Sequence, residues 1–214
     1  MKLHSKVRKT FWTANVLGMA LLFNGCALNK DYIAASYVPQ AGITKLPEAE
    51  KIFVNVQVTD ERTIRDRVSV KKNGYGMEMA PIIATNDVAA LLKTAIETEL
   101  TDRGFHLGDS NLTIVAHLSK FYSDFKTGFW SGSAVAEATL EIQLKTADGQ
   151  TRFSKLVTGE GTNPNLQLAS GSNAKIALDA AFKDAMAKLF GDPQFMDALL
   201  KPQEPSVQAA EKST

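Results

Sequence analysis

Cysteine, histidine and serine are the side chains of this sequence that bear most directly on nucleophilic or metal chemistry. Cys26 is the only cysteine and has no histidine near it in sequence, which argues against a thiol enzyme. His106 and His117 stand eleven residues apart, and the sequence contains no HExxH motif and no glycine-rich phosphate loop. ASGSN (residues 169–173) lacks the GxSxG frame, and Ser172 is predicted to be a helix N-cap. We therefore expect no catalytic activity, no cofactor and no metal site, with a hydrolase as the less favoured alternative.

A charged cluster, DERTIRDR (residues 60–67), follows the first strongly periodic segment. Asp60, Arg62 and Arg65 are its candidate ligand-binding residues, because a guanidinium group is able to bind a carboxylate or phosphate at two points. The functional hypothesis is salt-sensitive binding of an anionic glycan or peptide. The alternative is pairing between the acids and arginines of the cluster, which would shape the loop and bind no ligand.

A second candidate site is aromatic and lies in FYSDFKTGFWSGS (residues 121–133). Phe129 and Trp130 are predicted at a hairpin tip, where they are candidates for contact with a protein partner. Aromatic side chains suit this role because they bury a large area with few rotatable bonds. Phe121 and Phe125 are instead predicted to pack across strands.

The N-terminal 25 residues have the layout of a secretory signal peptide: a basic segment, an apolar stretch at residues 11–23 and a small residue, Gly25. A helix of those 13 apolar residues reaches about 20 Å, which is too short for a hydrocarbon core of roughly 30 Å. LFNGC (residues 22–26) resembles the lipobox of bacterial lipoproteins, although Phe23 and Asn24 depart from the residues preferred there. The resemblance implies cleavage before Cys26 and acylation of that cysteine. The alternatives are a protein secreted after cleavage elsewhere and an uncleaved anchor.

The residue after Cys26 bears on the destination of such a protein. Ala27 is not the aspartate that tends to retain lipoproteins at the inner membrane. The resemblance therefore implies an outer-membrane protein that faces the periplasm, attached through several acyl chains, because a single chain holds only marginally.

The mature chain divides into three parts by composition. Residues 26–50 contain Pro39, Gly42 and Pro47 and predict a lipidated N-terminus with a tether, in which Tyr32, Ile33, Tyr37 and Val38 are able to pack on the domain. Residues 51–201 predict a single domain, and residues 202–214 a disordered tail. Removing the first 25 residues leaves 20 basic and 23 acidic side chains, a net charge near −3, which argues against a nucleic-acid binder.

Strand patterns dominate the domain. KIFVNVQVT (residues 51–59) alternates apolar and polar side chains, and residues 68–80 predict a small hairpin that turns at Gly74. Three further strands are predicted between residues 110 and 161. Their apolar side chains alternate along each strand, as one buried face of a sheet requires.

Two amphipathic helices complete the pattern. One is predicted within residues 86–105 with Asn86 as its N-cap, and the other spans residues 172–190, with a short helical piece at 195–200. The element order is strand, hairpin, helix, three strands, helix. It predicts an α+β fold: a two-layer sandwich with a largely antiparallel sheet and two helices on one face.

In that order, VNVQVTDERT, LLKTAIETELTDRGFHL and NLTIVAHLSKFY are similar to the YajG-like family of bacterial lipoproteins. The similarity covers residues 51–201 together with the signal and the lipobox. It implies an outer-membrane-anchored domain without an established activity. The favoured interpretation is a lipid-anchored binding or assembly-accessory lipoprotein with an envelope protein as partner, and the alternative is a binder of an anionic envelope glycan or peptide at the arginine cluster.

Overall fold

This computed structural model describes residues 28–126, 128 and 131–201. Eight strands and three α-helices lie in this part of the chain. The strands are β1 (Asp31–Ile33), β2 (Phe53–Asp60), β3 (Ser69–Lys72), β4 (Glu78–Ala84), β5 (His106–Leu107), β6 (Leu112–Lys126), β7 (Gly132–Thr146) and β8 (Thr151–Leu166). The helices are α1 (Val88–Asp102), α2 (Gly171–Phe190) and α3 (Pro193–Leu200), with a 3₁₀ turn at Pro47–Lys51.

All eight strands form one sheet around the long strand β6. β7 lies antiparallel along one side of β6, and β8 lies antiparallel along the outer side of β7. On the other side, β2 runs parallel to the first half of β6, and β3 meets the second half where Ser69 is opposite Ser123. β4 and β1 extend the sheet beyond β3. The predicted α+β sandwich is confirmed, because the longest strand pairs are antiparallel and helices cover one face.

Alternation along the strands places the apolar side chains under the helices. Val54 and Val56 of β2 are buried, as are most side chains at the same phase on β6, β7 and β8. α1 packs on β2, and α2 crosses β6, β7 and β8. The opposite face of these strands is polar and at least partly exposed at most positions.

Glycines in β8 let α2 approach the sheet closely. A Cβ atom added to Gly161 would lie 2.0 Å from the carbonyl oxygen of Ala177, and one added to Gly159 would lie 2.1 Å from that of Ala181. The helix presents alanines at these positions, so two backbones meet with little side chain between them.

Three local predictions were wrong by one or two residues. Asp87 caps α1 and accepts hydrogen bonds from two backbone N–H groups, whereas Asn86 bonds to a different part of the chain. Ser170 caps α2, two residues before the predicted Ser172. In the β3–β4 turn the residue with positive φ is Gly76 and not Gly74.

The domain begins earlier than the predicted boundary at residue 51. β1 pairs with β4 inside the sheet, and the 3₁₀ turn at Pro47–Lys51 has Ala49 fully buried. Residues 31–51 therefore belong to the folded domain, and they are not a tether. The predicted signal peptide (residues 1–25) and tail (residues 202–214) lie outside the described residues.

Candidate functional site

Asp60, at the end of β2, forms one hydrogen-bonded cluster with Arg62 and Arg65. Arg62 Nε lies 2.9 Å from Asp60 Oδ1 and Arg62 Nη2 lies 2.8 Å from Oδ2, so the guanidinium holds the carboxylate at two points. The backbone N–H of Arg62 donates to the same carboxylate at 3.1 Å, and Arg65 Nε donates to the carbonyl oxygen of Arg62 at 2.9 Å. The structure brings the three predicted residues together in local pairing.

That pairing occupies two of the three guanidinium nitrogens of Arg62. Its side chain is 7% exposed, and its hydrogen bonds lower the pKa of Asp60 against the opposing effect of burial. One nitrogen is left over, because Arg62 Nη1 is buried and no described group hydrogen-bonds to it. An anionic ligand would have to meet this donor together with the side chain of Arg65.

Three predicted site residues lie outside the described part of the chain: Cys26, Phe129 and Trp130. Lipidation of Cys26 and partner contact by Phe129 and Trp130 remain predictions. The chain is described from Leu28 onward, and its course shows where the N-terminal segment joins the domain.

Asp31 attaches the first described residues to two distant elements. Its Oδ1 lies 2.7 Å from Nζ of Lys71 on β3, and its Oδ2 accepts a 2.7 Å hydrogen bond from the backbone N–H of Gly171 at the start of α2. Burial acts to raise the pKa of Asp31, but the bonds to Lys71 and Gly171 outweigh it and lower that pKa. The carboxylate is therefore held in its ionised form as a junction between β1, the sheet and a helix.

The next residues, 35–36, are fixed to both long helices or their caps. Asn86 accepts from the Ala35 N–H at 2.9 Å and donates to the Ala35 carbonyl at 3.0 Å. The N–H and hydroxyl of Ser36 donate to Asp179 of α2 at 2.9 and 2.7 Å. The two contacts hold residues 35–36 against the helical layer.

A buried cluster of charged side chains is the third attachment of residues 31–40 to the domain. Glu99 of α1 is fully buried and accepts hydrogen bonds from the Tyr37 hydroxyl, from the Gln40 N–H and from Arg103. The Arg103 guanidinium lies 4.5 Å from the centre of the Phe190 ring. Burial, and then the neighbouring Glu99, raise the pKa of Tyr37 above its usual range, so the hydroxyl stays a hydrogen-bond donor.

Sequence reasoning missed the polar contacts that attach residues 31–40 to the domain. A weak signal exists, because Ile33 and Ala35 are buried and Tyr37 is half-buried, which is a period of two. The signal is short and ends at Pro39, and the partners Lys71, Gly171 and Glu99 are far away in sequence.

Three connections meet at the end of the sheet from which the N-terminal segment leaves. Residues of the β3–β4 turn, of the facing ends of β6 and β7, and of the β8–α2 connection line one shallow groove of about 240 Å³. We call residues 73–77 and 167–170 the loop end. It carries large exposed apolar side chains: Tyr75 is 91% exposed, Leu168 61% and Met77 58%.

His106 and His117 occupy separate positions, the first exposed and the second half-buried. His117 lies on the polar face of β6, where its Nδ1 is 2.7 Å from both Thr59 Oγ1 and Glu61 Oε1. His106 stacks on Phe53 with ring centres 5.1 Å apart. Within residues 28–126, 128 and 131–201, no group of three or more histidine, cysteine, aspartate or glutamate side chains is arranged to hold a metal ion.

No helix in the described part of the chain is both long and apolar enough to cross a membrane.

Comparison with solved structures gives the fold. A Xanthomonas campestris protein of the DUF330 family model is 15% identical, matches over 76% of this chain and 93% of its own, and has a TM-score of 0.51. A candidate lipoprotein of Caulobacter crescentus is 13% identical over 67% and 93% of the two chains, with a TM-score of 0.43.

A minor lipoprotein of Acinetobacter baumannii is 11% identical over 64% of this chain and 88% of its own, with a TM-score of 0.38. No curated protein matches the sequence significantly. The Xanthomonas protein shares the α+β fold. The family of the chain comes from a match to its sequence. A model of the family described as uncharacterized lipoprotein matches residues 39–200, and the chain belongs to this family. The predicted similarity to YajG-like lipoproteins is confirmed.

Proposed function

We propose that the protein is a lipid-anchored, non-catalytic binding or assembly-accessory lipoprotein of the outer membrane that faces the periplasm. Membership of a lipoprotein family supports attachment through lipid. The lipobox-like LFNGC supports Cys26 as the acylated residue, and Ala27 supports the outer membrane as the destination.

One observation carries the proposal: Asp31, five residues after Cys26, is already fixed to Lys71 and Gly171. A lipid anchor at Cys26 therefore connects to the folded domain through a very short link. Such a link suits a domain that acts at the membrane surface, and it suits a distant partner poorly because it gives little reach.

The decisive experiment is the intact mass of protein extracted from membranes, compared with a Cys26→Ser variant. We expect the mass of the chain from residue 26 plus acyl groups, and we expect the variant to lose both the added mass and the membrane attachment. An unmodified thiol at residue 26 in membrane-extracted protein would refute the proposal.

Contact with an envelope protein is the binding role that we propose for Phe129 and Trp130. The test is capture of a cross-linked envelope protein by the acylated full chain, compared with the double variant Phe129→Ala, Trp130→Ala. Capture by the double variant at the wild-type level would remove these residues from the proposed interface.

A second candidate function, binding of an anionic envelope glycan or peptide, is favoured by the Nη1 of Arg62, which is buried without a hydrogen-bond partner among the described groups. We expect binding of a poly-glutamate peptide that weakens with salt and is lost in Arg62→Ala. Lys183→Ala is the control, because it removes an exposed positive charge on α2. Equal binding by both variants would show that only net charge matters.

A further inference from the structure

The direction in which the chain leaves the sheet determines which part of the domain faces its lipid anchor. β1 runs parallel to β4 with Asp31 opposite Ile82, and β4 begins at the β3–β4 turn. Followed backward from Asp31, the chain thus heads toward that turn. The β8–α2 connection lies at the same end, because the turn and that connection line one groove.

The link from Cys26 to Asp31 is too short to change this arrangement. Five residues span at most about 17 Å when fully extended, and Asp31 is held at both carboxylate oxygens. The 15 residues of β7 extend about 50 Å away from the loop end, so the β7–β8 turn lies far from the anchor.

The loop end has the side chains that a membrane surface accepts. Tyr75, Met77 and Leu168 are large, apolar or aromatic and largely exposed, and aromatic side chains with a polar group favour the interface between lipid and water. Lys30 and Lys126 are exposed nearby, and Glu78 is an exposed acid of the same region. Two other acids of this region are neutralised, since Asp31 pairs with Lys71 and Asp124 with Lys72.

We propose that the loop end rests on the membrane that holds the lipid anchor, with Tyr75, Met77 and Leu168 in contact with lipid headgroups and the adjacent acyl region. The inference rests on the proposed acylation of Cys26. It fixes the orientation of the domain: the sheet stands away from the bilayer, and the β7–β8 turn points into the periplasm.

The test uses the acylated full chain in vesicles of phosphatidylethanolamine and phosphatidylglycerol. Because acylation consumes the only native thiol, one introduced cysteine takes a fluorophore selectively. Tyr75→Cys labels the loop end, and Ala147→Cys labels an exposed position at the β7–β8 turn as a matched control. Neither side chain is buried, so both variants are expected to fold.

We expect iodide in the water to quench the label at residue 75 severalfold less than the label at residue 147. Nitroxide-bearing lipids are expected to quench the label at residue 75 and to leave the other unaffected. Equal iodide quenching at both positions would overturn the proposal. Protection from iodide without quenching by nitroxide lipids would also overturn it, because a second copy or another protein would then cover the loop end.

The intact mass of the same samples separates this inference from the proposed function. A chain without acyl groups refutes the proposed function. An acylated chain whose two labels are equally accessible refutes the membrane orientation alone.

Discussion

The close packing of α2 on β8 predicts that Gly161 tolerates no larger side chain. In Gly161→Ala the new Cβ would lie 2.0 Å from the carbonyl oxygen of Ala177 and 2.4 Å from the backbone nitrogen of Ala181. Ordinary van der Waals contact of a Cβ atom begins at 3.4 Å, so the α2 backbone would have to move away from β8 by roughly 1 Å or more. Both obstacles are backbone atoms, and no rotamer change relieves the clash.

The expected cost follows from what a retreat of α2 would disturb. The helix buries side chains along its whole length, from Gly171 to Phe190, so its movement loosens contacts across β6, β7 and β8. Overpacking in a core costs about 1–3 kcal/mol, and a rigid helix backbone as the obstacle puts this variant near the upper value. With a urea dependence of about 2 kcal/mol per molar, the unfolding midpoint is expected to fall by about 1.5 M.

The measurement is urea unfolding followed by far-ultraviolet circular dichroism on the chain from residue 26, with Cys26→Ser to prevent acylation. Gly74→Ala is the matched control, because its Cβ meets no atom within 4 Å and its φ is not positive. The control is expected to change the free energy of unfolding by less than about 0.5 kcal/mol. A Gly161→Ala midpoint that equals that of the control would refute the reasoning.

Three further predictions concern charged groups. Glu99→Gln is expected to lower the free energy of unfolding in urea by about 3 kcal/mol, because it leaves Arg103 buried without its charged partner. The control Glu97→Gln, on the solvent side of α1, is expected to lower it by less than about 0.5 kcal/mol. Similar losses in the two variants would contradict the role of burial. Arg62→Ala is expected to cost about 1–2 kcal/mol and to speed hydrogen exchange in residues 60–67, and unchanged exchange would contradict a loop-shaping role. The lowered pKa of Asp31 means that its ionised form stabilises the fold fully above pH 3.8 and progressively less as pH falls through the folded-state pKa. The stability difference between wild type and Asp31→Asn is therefore expected to be largest near neutral pH and to shrink in acid; a difference independent of pH would count against the ion pair.

Much of the fold was predictable because it depends on local periodicity. Val54 and Val56 on β2, and the alternating apolar side chains of β6, identify their buried face from sequence alone, because successive side chains of a strand point to opposite faces. Helix caps were less predictable. Asn86 and Asp87 are both good N-cap residues, and only the contact of Asn86 with Ala35 decides between them.

The residues of the candidate site were predictable from the sequence, but the partner of the Arg62 guanidinium was not. Asp60, Arg62 and Arg65 are near one another in sequence, so their proximity follows directly. Whether the Arg62 guanidinium faces a ligand or Asp60 depends on side-chain geometry, and the structure pairs it with Asp60 at two points.

The sequence by itself was enough to identify the lipobox-like segment around Cys26, the alternation of the strands and the family, because each depends on residues that are close together in the chain. The tertiary structure alone decided that Asp31 joins β3 to α2 and that Gly161 admits the α2 backbone. Asp31 and Gly171 are 140 residues apart, and no local pattern encodes a contact over that separation. Such contacts form only when the sheet and the helices have come together, and they hold Asp31, five residues after Cys26, against the domain.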